Sequence, residues 1–172
     1  MTLDFLAAIL FVLPAYVSNS SPVVFGGGSD AMDRGSLAWD KRRWLGKGKT
    51  WRGLVAGLLL GTFATLVLSL LPDWYVFGLS ASLRMQLGLL LVVGAQLGDL
   101  LGSFIKRRLG LADGASALLM DQLLFLFVGL ALCAPFFLPP LSELVFLTLL
   151  TLVLHPATNA LAYLFKLKRV PW

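Results

Sequence analysis

The sequence holds one cysteine and one histidine in 172 residues, and only 13% of its residues are charged. The lone Cys133 sits in an apolar run, so neither a disulfide frame nor a multi-cysteine metal site is available, and it reads as a packing residue. A soluble domain of this length needs a polar shell. A chain that is 58% hydrophobic lacks the residues to build one. Acidic residues are scarce too, nine against fourteen Lys and Arg. In a soluble chain such a surplus suggests nucleic acid. In a membrane chain it reports topology, or anionic head groups and phosphates, so no nucleic-acid partner is expected.

What the chain has instead is long apolar runs. A helix needs about 20 apolar residues to cross a hydrocarbon core of ~30 Å. Spans are expected over residues 53–71, 85–104, 114–138 and 144–165. The first of these carries no charge, the second only Asp99, the third only Asp121, and the last only His155. A fifth run, 3–17, is shorter and has no basic residue ahead of it, so it reads as a short or tilted first helix rather than a signal peptide. Between it and the next span, residues 18–52 are glycine-rich and polar, which predicts a mobile surface loop. The fold class expected is therefore an all-α membrane protein, a single bundle of about five transmembrane helices over residues 1–172. No internal repeat is visible.

The basic residues set an orientation. Thirteen of the fourteen fall in the 18–52 loop, the 105–113 loop or the C-terminal end, and only Arg84 falls on the other face. The positive-inside rule then places those two loops and the C-terminus in the cytoplasm and the N-terminus outside.

An ionised Asp inside a span costs roughly 2.5–3.5 kcal/mol on insertion scales, so Asp99 and Asp121 ask for a reason. Their spans form an antiparallel hairpin with its tip near Gly110, and residues that face each other there have numbers summing to about 220. Asp99 and Asp121 meet that condition. Two carboxylates at one depth repel unless a cation or proton lies between them, and oxygen-only ligation beside phosphates favours Mg²⁺. The plainer alternative is that each is neutral or caps a helix end, which suits Asp121. Ser103 and Lys106 share the helix face of Asp99, and Lys106 and Arg107 stand where phosphate would meet the membrane boundary; Arg108 reads as an ordinary anchor.

The segment from Gly46 to Gly53 contains Gly-Lys-Thr but lacks the earlier glycine and the preceding strand of a nucleotide-binding phosphate loop. Lys49, Thr50 and Arg52 nonetheless lie at a helix N-terminus, where free amides and the dipole favour anions. His155 and Asn159 are four apart on the last span, either as packing residues or as part of a site. Asn19 is placed to line the mouth of that site, and Tyr16 reads as an interfacial aromatic.

Together these residues resemble the cytidylyltransferase signature of the CDP-diacylglycerol synthase (phosphatidate cytidylyltransferase) family: Gly98-Asp99, Ser103, Lys106-Arg107, then Asp121 after a short loop. The small size, Lys49-Thr50-Trp51-Arg52-Gly53, the His155 and Asn159 pair and the terminal Pro171-Trp172 are more similar to its archaeal branch, the CDP-archaeol synthases. The likeness runs from Pro14-Ala15-Tyr16 and Asn19 to the end of the chain. It implies a Mg²⁺-dependent nucleotidyltransferase of membrane phospholipid synthesis. Such an enzyme moves CMP from CTP to 2,3-bis-O-geranylgeranylglycerol 1-phosphate and releases pyrophosphate, in the cell membrane with its site on the cytoplasmic side. The partners implied are CTP, a prenyl-ether glycerol phosphate lipid and the bilayer, with a homodimer left open. Implied catalytic residues are Asp99, Asp121 and Lys106, with Asp99 and Asp121 as metal ligands. Contacts to CTP or lipid phosphate are implied for Lys49, Thr50, Arg52, Ser103, Arg107, Asn19, His155 and Asn159. The chain departs from the wider signature at Leu124, where a further acid is expected, and at Ala31-Met32-Asp33, where a proline is expected. One metal ion is therefore the expectation.

Paired acids at membrane depth also suit a small proton- or cation-coupled transporter, the rival reading, although no inverted repeat accompanies them. Asp113-Gly114 begins like a CDP-alcohol phosphotransferase motif, but the rest of that motif does not follow.

Overall fold

The computed structural model describes residues 4–167. Lys168, Arg169 and the Pro171-Trp172 pair, like Leu3 of the 3–17 run, lie outside them. Five α-helices follow one another: α1 (Phe5–Phe25), α2 (Trp51–Ser69), α3 (Ala81–Arg108), α4 (Leu118–Cys133) and α5 (Leu141–Leu164). No β-strand forms among the described residues. Four helices are long and apolar enough to cross a membrane. The exception is α4, which has only 16 residues, about 24 Å of helix, against the 25 residues expected there. The apolar segment from Ala134 to Pro140 follows it.

The first helix is the largest difference from the sequence-based expectation. It begins at Asp4, whose side chain accepts from the Ala7 amide at 2.9 Å, and it continues through Pro14 and Pro22 to Phe25. The small polar residues after Val17 do not end it: Ser20 and Ser21 donate back to the Val17 carbonyl, and Ser18 has a partner on another helix. Ser18 is fully buried, and Gln96 of α3 donates to both its carbonyl and its hydroxyl, at 2.8 and 2.9 Å. The loop is consequently residues 26–50, and Tyr16 and Asn19 lie within α1 rather than at its end.

Small residues bring the helices together, as is common where lipid removes the hydrophobic drive between them. Gly53, Gly57, Gly61 and Thr65 form one buried stripe of α2. A Cβ on Gly57 would sit 2.1 Å from the Gln96 amide nitrogen, and one on Gly94 of α3 only 2.4 Å from the Gly129 Cα of α4. The α3–α4 hairpin has the expected register: Cys133 Sγ lies 3.5 Å from the Leu87 carbonyl, and Gly129 packs on Leu91. Leu87, Leu91, Phe125, Leu126, Leu130 and Leu147 fill the centre.

At the end remote from most of the charge, the buried Arg84 donates to the carbonyls of Ser69 (3.0 Å), Leu71 (2.5 Å) and Leu79, and to Asp73 Oδ1 (2.8 Å). It satisfies the open C-terminal carbonyls of α2 and ties them to α3.

Candidate functional site

The opposite end of the bundle gathers the loop 26–50, the α3–α4 turn and the charged residues. The loop is ordered around a residue the motif reading did not rank, Asp33. Its side chain is 1% exposed and accepts from the amides of Gly35 (3.1 Å), Leu45 (3.1 Å) and Gly46 (2.9 Å), and from the Arg43 guanidinium. Burial pushes its carboxyl up, but Arg43 and the three amides more than offset this and hold it well below the usual carboxylate range. The expected mobile loop is therefore a folded one.

Asp113 and Arg42 fasten this loop to the α3–α4 turn. Asp113 Oδ1 accepts from Arg107 at 2.5 Å and Oδ2 faces the Lys47 amide at 3.5 Å. Gly46 has φ +100°, and a Cβ there would meet Asp113 Oδ1 at 2.5 Å, so only glycine lets the two segments approach. Arg42 donates to the carbonyls of Arg107 (3.3 Å) and Arg108 (2.8 Å) at the α3 C-terminus, where a cation complements the helix dipole. Arg108 covers the Trp39 and Phe104 rings and pairs with Asp40 at 3.2 Å.

The folded loop delivers Lys49 into the helix seam. The Met32 amide donates to the Lys49 carbonyl at 2.8 Å, Ala31 bridges Thr50, and Lys49 Nζ reaches Asp99 Oδ2 at 2.5 Å. On the α4 side Lys106 Nζ donates to Asp121 Oδ1 at 2.7 Å, and Asp121 Oδ2 accepts from the Ala117 amide at 2.9 Å. Both carboxylates are partly exposed, 30% for Asp99 and 25% for Asp121. Each thus has its own lysine, and Lys106 stands two turns along α3 from Asp99, with the buried Ser103 between them. This end of the bundle carries two acids and two ammonium groups.

Other expected site residues take different positions. Thr50 caps α2, accepting from the Gly53 amide at 3.1 Å. The Arg107 guanidinium is engaged by Asp113 and by the Ala112 carbonyl at 3.0 Å. His155 Nδ1 and Asn159 Nδ2 are 3.2 Å apart, and the imidazole stacks on Phe125, which itself packs against Gly98. This pair is therefore one ring behind the charged seam. Asn19 is half-buried on α1, and Arg52 is exposed at the start of α2.

A Mg²⁺ ion fits this donor set. The protein offers hard carboxylate oxygens, and Asp99 Oδ1 has no protein partner among the described residues. No group of three or more His, Cys, Asp and Glu side chains occurs among them. Such a site suits an ion that keeps waters and takes phosphate oxygens, as Mg²⁺ does, rather than one caged by protein alone.

The fold and the charged seam define a multi-pass membrane protein whose polar chemistry is confined to one end of an apolar bundle. Comparison with known proteins makes the class specific. Residues 1–172 match the family described as CarS-like, CDP-archaeol synthase. The CDP-archaeol synthase of Pyrococcus furiosus is 43% identical over 167 residues, covering 97% of this chain and 98% of that one. That of Methanopyrus kandleri is 44% identical over 169 residues, covering 94% and 90%. A solved structure described as an intramembrane enzyme for archaeal membrane lipids biosynthesis superposes with a TM-score of 0.76 at 38% identity, covering 88% of this chain and 92% of that one. The chain belongs to the CDP-archaeol synthase family, and it is an enzyme rather than the coupled transporter weighed from its acids.

Proposed function

We propose that the protein transfers CMP from CTP to 2,3-bis-O-geranylgeranylglycerol 1-phosphate, in a Mg²⁺-dependent reaction at the cytoplasmic face of the membrane. The observation that carries this reading is the pair of contacts Lys49–Asp99 and Lys106–Asp121 at the basic end of the bundle. Family membership supports the activity, and the clustering of basic residues at that end supports the cytoplasmic side.

The chemistry asks for charge neutralisation more than for a base. The acceptor phosphate is already an anion. One of its oxygens forms a bond to the α-phosphorus of CTP, the bond from that phosphorus to the bridging β oxygen breaks, and pyrophosphate leaves with the electron pair. Two polyanions must approach, which calls for fixed positive charge and in-line positioning. Lys49 and Lys106 supply that charge at the seam. Asp99 and Asp121 would hold Mg²⁺, which when bound supplies further neutralisation of the phosphate oxygens. Asp33 and Asp113 act earlier, by fixing the loop that presents Lys49.

The test is transfer of label from α-³²P CTP into a lipid-soluble product by the purified full-length protein. Label should appear only with both Mg²⁺ and the prenyl-ether glycerol phosphate present. Absence of transfer under those conditions would refute the reading.

A further inference from the structure

The cations of the basic end divide into two sets. Arg43, Lys49, Lys106, Arg107 and Arg108 each pair with an acid, and Arg42 with two carbonyls. Arg52 has neither kind of partner among the described residues, and the same holds for Arg34, Lys41 and Lys47. Arg52 lies instead at the mouth of a cavity of about 540 Å³ whose other walls are Phe25, at the end of α1, and Trp51, Val55, Ala56 and Leu59 on one face of α2. Trp51, Val55 and Leu59 recur every four residues, so the groove descends about 12 Å along the helix from its N-terminus. In sequence Arg52 is three residues from Lys49, which holds Asp99.

This groove matches one kind of molecule. A lone guanidinium suits a single phosphate, which it can grip with two parallel hydrogen bonds, and it offers too little charge for a triphosphate. Everything else in the lining is hydrocarbon or aromatic. The loop holds a second cavity of about 500 Å³ with a more polar lining, which includes Gly28, Ser29, Asp30, Arg34, Arg43 and Lys47; a Cβ on Gly28 would lie 3.8 Å from the Arg52 guanidinium. A polar nucleotide belongs with the second cavity, and a hydrocarbon chain with the first.

We propose that the α2 groove is the acceptor subsite, in which Arg52 binds the phosphate of the lipid glycerol phosphate and the apolar lining holds the first part of an isoprenoid chain. This rests on the transfer reaction above and assigns its lipid half. Ordinary bilayer lipid is the competing occupant. It also wets apolar helix faces, but it has no need of a phosphate-gripping cation at the mouth.

The experiment uses the full-length protein in nanodiscs of neutral phospholipid, with a prenyl-ether glycerol phosphate that carries a diazirine in its chain. Crosslinks should map to α2 between Trp51 and Leu59. Unlabelled acceptor should compete them away, and prenyl-ether glycerol without phosphate should not. Arg52→Ala and Ala56→Phe should each raise the acceptor KM about tenfold and leave the CTP KM within about twofold, with Arg52→Lys recovering part of the loss. Crosslinks competed equally well by neutral phospholipid would assign the groove to bulk lipid and overturn the proposal. So would an unchanged acceptor KM in both variants while the wild type turns over, and the transfer reaction would then survive without this subsite. If the wild type transfers no CMP but the phosphate-dependent crosslink holds, the reaction reading fails and the groove stands as a lipid phosphate site.

Discussion

Lys49 and Asp99 are fifty residues apart in sequence and 2.5 Å apart in space. The ammonium comes from a loop outside the bundle and the carboxylate from the last third of α3. Their contact makes loop folding a condition of site formation, because nothing else along α2 or the loop would aim Lys49 into the α3–α4 seam. A second acid, Asp121, is met in the same way by Lys106 of the neighbouring helix at 2.7 Å.

Removing either carboxylate should therefore stop the chemistry without unfolding the protein. Asp99→Asn and Asp121→Asn each keep side-chain volume and hydrogen bonding, and kcat should fall at least about a hundredfold. Thermal unfolding in detergent, followed alongside turnover, should shift by only a few degrees. Near-normal kcat in either variant would show that its carboxylate is not part of the site.

Asp33 should behave as an organiser of the loop. Asp33→Asn loses the ion pair with Arg43, and the amides of Leu45 and Gly46 should lose hydrogen-exchange protection while those of α3 keep theirs. CTP KM should rise as Lys49 loosens. The pH dependence has a fixed sign. The folded carboxyl lies below its unfolded value, so its stabilisation is complete above the ordinary Asp pKa of about 4 and fades as pH falls below it. Wild-type loop protection, corrected for intrinsic exchange, should be the same at pH 7 and pH 5 and decline only in stronger acid.

Arg84 separates stability from catalysis. Its loss strands the carbonyls of Ser69, Leu71 and Leu79, since Asp73 is 61% exposed and can turn to water. Arg84→Ala should cost about 2–4 kcal/mol, read as a lower unfolding temperature. The KM values for CTP and acceptor should be unaffected, because the residue sits at the far end of the bundle.

Close packing of α3 on α4 holds the two acids in register. Gly94→Leu must push α4 backbone away, since even a Cβ would lie 2.4 Å from the Gly129 Cα. Overpacking of this kind costs about 1–3 kcal/mol, and turnover should fall with it as the seam opens. A variant with wild-type stability and rate would show that the helices do not need this approach.

Much of this was legible in the sequence, for physical reasons. Apolar runs of membrane length announce helices, and a short turn forces α3 and α4 to be antiparallel neighbours, so the register that sets Leu87 against Cys133 and Leu91 against Gly129 follows from counting away from Gly110. Lys106 belongs to the Asp99 face by helical spacing. The error over α1 also has a cause. Pro14 followed by Ser18, Asn19, Ser20 and Ser21 looks like the end of a span, yet Ser18 is satisfied by Gln96, a partner 78 residues away.

The loop was the least legible part. Asp33 and Asp113 derive their roles from distant backbone amides and arginines, and no local pattern encodes those partners. Gly46 offered a hint, as a glycine just ahead of the basic segment, but its necessity appears only once Asp113 is seen against it. Thr50, expected to face phosphate at a helix N-terminus, caps that helix, a role its position before Trp51 also permits.

The central claim is that the two acids of the α3–α4 seam hold the triphosphate through a divalent ion. Equilibrium binding of CTP, titrated with and without Mg²⁺ in the wild type, Asp99→Asn and Asp121→Asn, tests it most directly. Mg²⁺ should tighten CTP binding to the wild type by about tenfold or more, and that increment should vanish in both variants. An increment of the same size in all three proteins would contradict the claim.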